Sequence, residues 1–234
     1  SAINVELGWP TQGAGTEADP YLISSTDDWN DFANSVNHGY TFSGKYVKLT
    51  NDINVTTMAG VSETNSFQGT FLGNNKTLTV NYNTTEQYTA PFRYVKNATI
   101  RDLKVAGDIY TSQKFAAGLV CRSYGETNII DCPVSTVIYS SVNGDGTHGG
   151  LVALPNGGTT LNISGCVYTG RLLTNNDTNK CGGFVGWHGD ATISVNNSLY
   201  FPSGSIPEGW SAINHGATFV RGGNPAIDYC YYIE

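Results

Sequence analysis

The chain has 234 residues, of which 39% are hydrophobic and 13% are charged, and its formal net charge is −7. This length can enclose one substantial core, but no apolar run approaches the ~18 residues of a membrane-spanning helix. The acidic balance lacks the basic footprint that nucleic-acid phosphates require, so the composition excludes nucleic-acid binding and favours an exported protein.

The N-terminal part predicts a strand and a capping helix. Residues 2–18 are polar and glycine-rich and predict an edge strand with a loop, and residues 20–23 predict a short strand. Ser25 or Thr26 can cap a helix, in which Trp29 and Phe32 share a face. We expect this helix, at about 26–37, to cover the end of a repeat structure. The three aspartates of this segment fit the solvent face and the positive helix end better than a metal or acid–base site: Asp27, Asp28 and Asp31.

Short strands separated by turns are predicted from residue 46 to residue 83. We interpret 1–234 as a single β-helix domain. Its expected parts are a lead-in and cap (1–45), irregular first coils (46–91) and regular repeats (92–234).

The regular part is defined by a six-residue unit, apolar-x-x-apolar-x-apolar, that occurs five times at spacings of 29, 34, 32 and 32 residues. A fixed period of this size indicates a solenoid. The units begin at Ile100, Ile129, Ile163, Val195 and Ile227.

The spacing within the unit requires a bend. Apolar residues three apart cannot share one face of a straight strand, so the residue before the second apolar position should be left-handed. Four of the five residues there are types that enter this region at low cost, whereas Tyr229 is not, which suggests an altered terminal coil. These residues are Asp102, Asp131, Gly165, Asn197 and Tyr229.

Further apolar landmarks complete the coil. A bulky apolar residue precedes each unit, and apolar residues four apart follow three of the units. Three short strands per period without a helix predict an all-β fold, a right-handed parallel β-helix whose inner faces stack about 4.8 Å apart. The preceding bulky residues are Phe92, Leu119, Leu151, Phe184 and Phe219.

Short glycine-containing elements recur before the repeat units. They are Gly-Leu-Val at 118–120 and 150–152 and Gly-Phe-Val at 183–185, each followed by an Ile/Val-x-x-Cys/Ser unit, and they are preceded by the upstream segments 15–23, 42–49, 51–53 and 67–73. In these elements the chain resembles the GLUG-motif surface proteins of gut bacteria. That resemblance implies a β-helix on the cell surface, similar to regions outside the protease domain in some bacterial immunoglobulin A1 proteases, and it supplies no catalytic residues.

The cysteine pattern favours buried thiols over disulfides. Cys132, Cys166 and Cys230 occupy one repeat position, and parallel side chains in such a ladder have poor disulfide geometry. We therefore predict three small buried groups. Cys121 should also face inward, and Cys181 should be the most exposed. No cysteine spacing indicates a metal site.

The loops between repeat units should emerge on one side of the solenoid. Aromatic rings beside amides and carboxylates suit a sugar or a protein partner. The alternative is that Phe115 and Trp210 fold back over the core. The candidate binding residues are Tyr110, Phe115, Tyr139, Asp145, His148, Asp177 and Trp210.

Three functions fit these features. The first is a non-catalytic, adhesin-like secreted or cell-surface module that binds a host or bacterial glycan or surface protein as part of a larger surface protein, without cofactor or metal. The second is a polysaccharide lyase or hydrolase, which needs paired carboxylates or carboxylates on calcium. For that function the chain offers Asp102 with Asp131, Asp145 with His148, and His188 with Asp190. The third is a rigid stalk.

Overall fold

The structure is a computed structural model that describes Pro10 and residues 12–233. Most of the edge strand expected within residues 2–18 lies outside the described residues. The described residues form one helix, α1 (Thr26–Asn37), and 23 strands. In chain order the strands are β1 (Tyr21–Ile23), β2 (Tyr46–Leu49), β3 (Ile53–Val55), β4 (Thr70–Leu72), β5 (Thr77–Thr84), β6 (Phe92–Lys96), β7 (Thr99–Arg101), β8 (Lys104–Thr111), β9 (Val120–Tyr124), β10 (Glu126–Ile130), β11 (Pro133–Val134), β12 (Val137–Ser140), β13 (Gly144–Asp145), β14 (Val152–Pro155), β15 (Thr160–Ser164), β16 (Val167–Tyr168), β17 (Leu172–Thr174), β18 (Thr178–Asn179), β19 (Thr192–Asn196), β20 (Leu199–Tyr200), β21 (Ser211–Ala212), β22 (Ala226–Asp228) and β23 (Tyr231–Tyr232).

The strands stack into a parallel β-helix. Sheet 1 has eight strands in the order β1-β2-β4-β7-β10-β15-β19-β22. Sheet 2 runs β21-β17-β12-β8-β11-β16-β20-β23, with β5 paired to β8 and β3 to β5, and sheet 3 is β14-β9-β6. Apart from the antiparallel pair β17–β21, the paired strands are parallel, which is the pattern produced when each coil lies on the preceding one.

The repeat unit predicts the register correctly. The five starting residues pair with one another in chain order along sheet 1. The same ladder continues toward the N-terminus through Phe71, Val47 and Tyr21. Coil stacking therefore begins before the segment where the sequence repeat becomes regular.

The predicted bend is present in every unit. All five residues before the second apolar position have left-handed φ angles, from 48° at Asn197 to 65° at Gly165. Tyr229 shares this backbone, with φ 52°, so the bend itself is unchanged in the last coil. Instead its side chain is 77% exposed, because no described coil covers that end.

Helix α1 has the predicted bounds. Ser25 Oγ accepts a hydrogen bond from the Asp28 N–H at 3.1 Å, which satisfies one unpaired donor of the first turn. Trp29 and Phe32 are fully buried, and the Trp29 ring contacts Phe71 and Phe92. The helix thus covers the first coils, as predicted. It is also too short to cross a membrane, and the described residues contain no helix able to do so.

The core is one continuous apolar cluster from Tyr21 to Val220. In its central file Leu103, Cys132 and Cys166 are inaccessible to solvent, Ser198 is buried, and Cys230 packs against the cluster. The Cys166 N–H donates to Ser198 Oγ at 3.2 Å. These residues form the single file that the repeat predicts.

Two cysteine placements differ from expectation. All five thiols are free, but Cys181, predicted to be exposed, is fully buried. Burial raises its pKa to about 12. Cys121 is buried as predicted, yet it belongs to a second, smaller cluster with Ala90, Ala117 and Ala153. Cys121 therefore faces away from the central core.

The strand register in sheet 3 differs by one residue from the alignment of bulky residues that the sequence predicts. Phe92 pairs with Val120, and Val120 with Val152, so Leu119 and Leu151 are not the partners of Phe92. Both Leu119 and Val120 are nevertheless fully buried. The sequence pattern could not separate these neighbours because the chain turns a corner there and buries consecutive residues.

Candidate functional site: an aromatic groove

The outer face of sheet 2 carries a stacked pair of tyrosines. Tyr110 on β8 and Tyr139 on β12 are paired residues of adjacent coils. Their rings are nearly parallel, at 3°, with centroids 4.4 Å apart. Strand alternation turns both outward, since Ile109 and Ile138, which precede them, fill the core.

Trp210 completes the aromatic cluster from a different part of the chain. Residues 201–216 fold back over sheet 2, and β21 pairs antiparallel with β17, which places Ala212 opposite Leu173. The Trp210 ring meets Tyr139 edge-on at 4.9 Å and Tyr110 at 6.1 Å. Trp210 does fold back, but it covers the outer tyrosine pair rather than the core.

A groove of about 260 Å³ lies beside these rings. Asn83 pairs with Tyr110 on the side away from Tyr139, and its short, exposed side chain leaves that part of the Tyr110 ring uncovered. Tyr110 is accordingly 39% exposed. Polar residues line the rest of the groove: Asn83, Thr84, Thr85, Thr111, Ser112, Ser141 and Asn175.

The Tyr139 hydroxyl remains a neutral donor. Burial, the charge of Asp108 and the neighbouring Tyr110 raise the pKa of Tyr139. Partial burial also raises the pKa of Asp108. The groove therefore offers apolar ring surface, neutral hydroxyls and amides, a set suited to a polar, uncharged ligand.

Phe115 lies apart from this groove. Its ring stacks on Tyr88 at 4.9 Å and 5°, and both rings pack against the small cluster that contains Cys121. The Lys114 ammonium lies 4.9 Å from the ring centroid. Phe115, predicted as a binding residue, therefore folds back as in the alternative interpretation, but it covers the small outer cluster instead of the main core.

Asp145 sits in an ion-pair network. Its carboxylate lies 3.2 Å from Lys114 Nζ and 3.8 Å from Arg221 Nη2, and Thr147 Oγ1 donates to it at 2.6 Å. Partial burial by itself raises the pKa of Asp145, but the hydrogen bonds from Thr147 and Lys114 and the charges of Lys114 and Arg221 outweigh it and lower the pKa. The carboxylate thus joins three coils.

His148 is inside the protein, contrary to its expected place on the loop surface. The ring is fully buried; Nδ1 accepts from the Ala116 N–H at 3.1 Å and Nε2 lies 2.8 Å from Ser140 Oγ. Burial lowers its pKa to about 4. It has no surface with which to contact an external ligand.

Asp177 is exposed, and its carbonyl oxygen accepts the Gly144 N–H at 3.0 Å, just before β13 pairs with β18. The structure thus brings together three of the seven candidate residues, Tyr110, Tyr139 and Trp210. The sequence patterns did not indicate Asn83 or Ser112 as groove residues. The position of Asn83 follows from the register that pairs it with Tyr110, whereas Ser112 lies just beyond the end of β8.

The carboxylates considered for catalysis have structural partners or turn positions. Asp102 and Asp131 occupy the left-handed bend, with φ 54° and 53°. The Asp190 N–H donates to His188 Nδ1 at 3.0 Å within one turn. Among residues 12–233, no group of three or more His, Cys, Asp or Glu side chains could hold a metal ion.

Comparison with known proteins places this architecture in the class of parallel β-helices. The fold is similar to a crystal structure from Bacteroides ovatus provisionally named an immunoglobulin A1 protease, with a TM-score of 0.52 and 16% sequence identity over 94% of this chain and 77% of that chain. At this identity the likeness establishes the fold alone. No protein-family model and no curated protein matches the chain.

Proposed function

We propose that this chain is a non-catalytic, adhesin-like module that binds a glycan through the aromatic groove. The observation that carries the proposal is the convergence of Tyr110, Tyr139 and Trp210 beside amide and hydroxyl side chains. Sugar rings present apolar C–H faces and a rim of hydroxyls, so a site for them needs both ring surface and directed hydrogen bonds.

The site favours a glycan over a protein partner. The groove is small, at about 260 Å³, and Asn, Ser and Thr surround its three aromatic rings, which suits a sugar better than the roughly 800 Å² per partner that a stable protein interface buries. An alternative in which the chain is only a stalk leaves the exposed Tyr110 unexplained.

The positions and partners of the carboxylates support a non-catalytic role. Asp102 and Asp131 support turns, and Asp145 is engaged by Lys114, Thr147 and Arg221. None of these three lines the groove. The name of the Bacteroides ovatus structure belongs to that protein, and at 16% identity it is insufficient to argue for proteolysis here.

We further propose that the module is secreted or on a cell surface within a larger bacterial surface protein. The repeat elements that resemble GLUG motifs support this placement. So does the sparse charge of the chain, at 13% of residues. The partner would be a host or bacterial glycan.

The test is a glycan and host-protein array probed with the wild-type protein and with Trp210→Ala. We expect glycan binding by the wild type and at least ~10-fold weaker binding by the variant, because a central aromatic contact contributes on the order of 1.4 kcal/mol or more. Removing Trp210 also strips the edge contact from Tyr139.

The matched control is Trp187→Ala, which removes an exposed tryptophan that packs against Arg221, outside the groove. It should bind like the wild type. Equal glycan binding by Trp210→Ala and wild type, or binding only to proteins, would contradict the glycan groove.

A further inference from the structure

A second cavity, of about 490 Å³, is lined by Ala212 of β21 and the residues that follow it. Its walls are β17, the end of β20 and the segment 212–218. Cavities of this size accommodate small molecules or one to two sugar units. The same fold-back segment that supplies Trp210 thus also encloses this second site.

The inner part of the cavity is apolar. Leu172, Tyr200 and Ile213 line it and are each 4% exposed. The Ile213 N–H donates to the Leu172 carbonyl at 2.9 Å, so the wall is fixed to the sheet. The Tyr200 ring stacks on Tyr168 and contacts His215 edge-on, so it forms part of this buried floor.

A guanidinium without an acidic partner stands at the cavity. Arg171 Nε donates to the Gly204 carbonyl oxygen at 2.9 Å, which holds the plane of the side chain. Among the described residues, no carboxylate lies within 4.0 Å of this guanidinium, and its terminal nitrogens donate no hydrogen bond to the protein.

Arg171 differs from the arginines that have a charged partner, since Arg93 pairs with Glu86 and Arg221 with Asp145. Within residues 12–233, Arg101 and Arg122 also have no carboxylate within 4.0 Å, but neither lines this cavity, and Arg122 donates to Leu154 and Asn156. Two parallel N–H donors fixed in a plane match a carboxylate.

Polar groups also line the cavity. The Tyr200 hydroxyl and His215 Nε2 are 2.9 Å apart, and Asn214 lines the same wall. Together these side chains can donate to and accept from ring hydroxyls.

We propose that this cavity binds a hexuronate, the carboxylate-bearing sugar residue of an acidic glycan. The carboxylate meets the terminal nitrogens of Arg171, the apolar face of the sugar lies toward the floor of the cavity, and the hydroxyls face Asn214 and His215. This inference rests on the proposed glycan-binding function and adds a separate subsite for an acidic sugar to the neutral groove.

The experiment is a titration of the whole chain with glucuronate and galacturonate, followed by protein NMR or calorimetry. Glucose and galactose test the carboxylate, and acetate at equal ionic strength tests the sugar ring. We expect the hexuronates to bind at least ~10-fold more tightly than the neutral sugars or acetate, because a bidentate charged contact contributes at least a factor of ~10 in affinity.

Two variants assign the contact to Arg171. Arg171→Gln removes the charge and should weaken hexuronate binding at least ~10-fold, while Arg171→Lys keeps the charge without the fork and should bind at an intermediate level. Thermal unfolding of both variants should stay near the wild type. Hexuronate binding equal to glucose or acetate, a preference for sulfated sugars, or unchanged binding by Arg171→Gln would overturn the proposal.

The experiments test the groove and the cavity separately. Tyr110→Ala removes a groove residue distant in sequence from the segment 212–218 and should leave hexuronate binding unchanged. A module that binds neutral glycans but not hexuronates would contradict only this inference. Hexuronate binding lost in Tyr110→Ala would instead place the acidic sugar in the groove and overturn the second site.

Discussion

At the scale of single residues, the fold depends on one left-handed backbone position in each coil. Asp131 has φ 53° and an exposed side chain, so its identity matters for the backbone more than for packing. Asp and Asn tolerate this region because their short polar side chains bond locally, whereas other L-residues pay about 1–2 kcal/mol.

We therefore expect Asp131→Val to lower the free energy of unfolding by about 1–2 kcal/mol, because a β-branched side chain disfavours positive φ. Chemical denaturation measures the loss. Asp131→Asn is the matched control and should remain within ~0.5 kcal/mol of the wild type. An equally stable Asp131→Val would show that the bend is not left-handed.

His148 predicts a pH dependence of stability. Its pKa is lowered from 6.5 to about 4 in the folded protein, so the unfolded chain binds more protons between these values. Stability is therefore complete above pH 6.5 and falls as the pH approaches 4, by up to about 1.4 kcal/mol per pH unit and roughly 3 kcal/mol in total.

The measurement is the free energy of unfolding between pH 4.5 and 7.5 for the wild type and His148→Gln. Glutamine can keep polar contacts toward Ser140 and Ala116 but does not titrate. The variant should lose most of the slope in this window. Identical slopes in the two proteins would show that His148 is not the buried titrating group.

At the scale of elements, α1 closes the first coils of the solenoid. Trp29 is fully buried, its Nε1–H donates to the Thr57 carbonyl at 3.2 Å, and its ring contacts Phe32, Phe71 and Phe92. The helix is therefore anchored by one side chain to several coils at once.

Trp29→Ala should destabilise the protein by about 3–5 kcal/mol, since it leaves a large cavity under the helix. Thermal or chemical unfolding measures this loss. Asp27→Ala, on the exposed first turn, is the control and should cost less than ~1 kcal/mol. A stability change no larger than that of the control would contradict the capping role.

The elements also show what the sequence pattern could predict. The helix bounds and the sheet 1 register follow from local rules, namely capping, helical spacing and a fixed repeat period. The burial of His148 does not, because it depends on Ser140 and Ala116 from elsewhere in the chain. The burial of Cys181 likewise could not be read from its position at a coil entrance.

The site was predictable only in part for a related reason. Tyr110 and Tyr139 share a repeat position, so their stacking follows from the period. Trp210 joins them only because β21 pairs antiparallel with β17, an exception to the parallel pattern. Its fold-back segment contains no repeat signal, and the Arg171 cavity formed by that segment was missed as well.

At the scale of the whole molecule, the stacking of coils brings residues from separate strands together on one surface. Parallel pairing brings residues about 30 apart in sequence to adjacent positions, as for Tyr110 and Tyr139. The C-terminal end of the described solenoid is not covered, because Ile227, Tyr231 and Tyr232 are exposed on its last coil. The solenoid thus carries a groove on the outer face of sheet 2, and α1 covers its N-terminal end.

The most direct test of the glycan groove is a calorimetric titration of a glycan identified on the array against the wild type, Tyr110→Ala and Tyr124→Ala. Tyr124 is the matched control, a partly buried tyrosine on sheet 3 that stacks on Tyr94 outside the groove. The account predicts that Tyr110→Ala binds at least ~10-fold more weakly while Tyr124→Ala keeps wild-type affinity. Equal affinities for Tyr110→Ala and the wild type would contradict it.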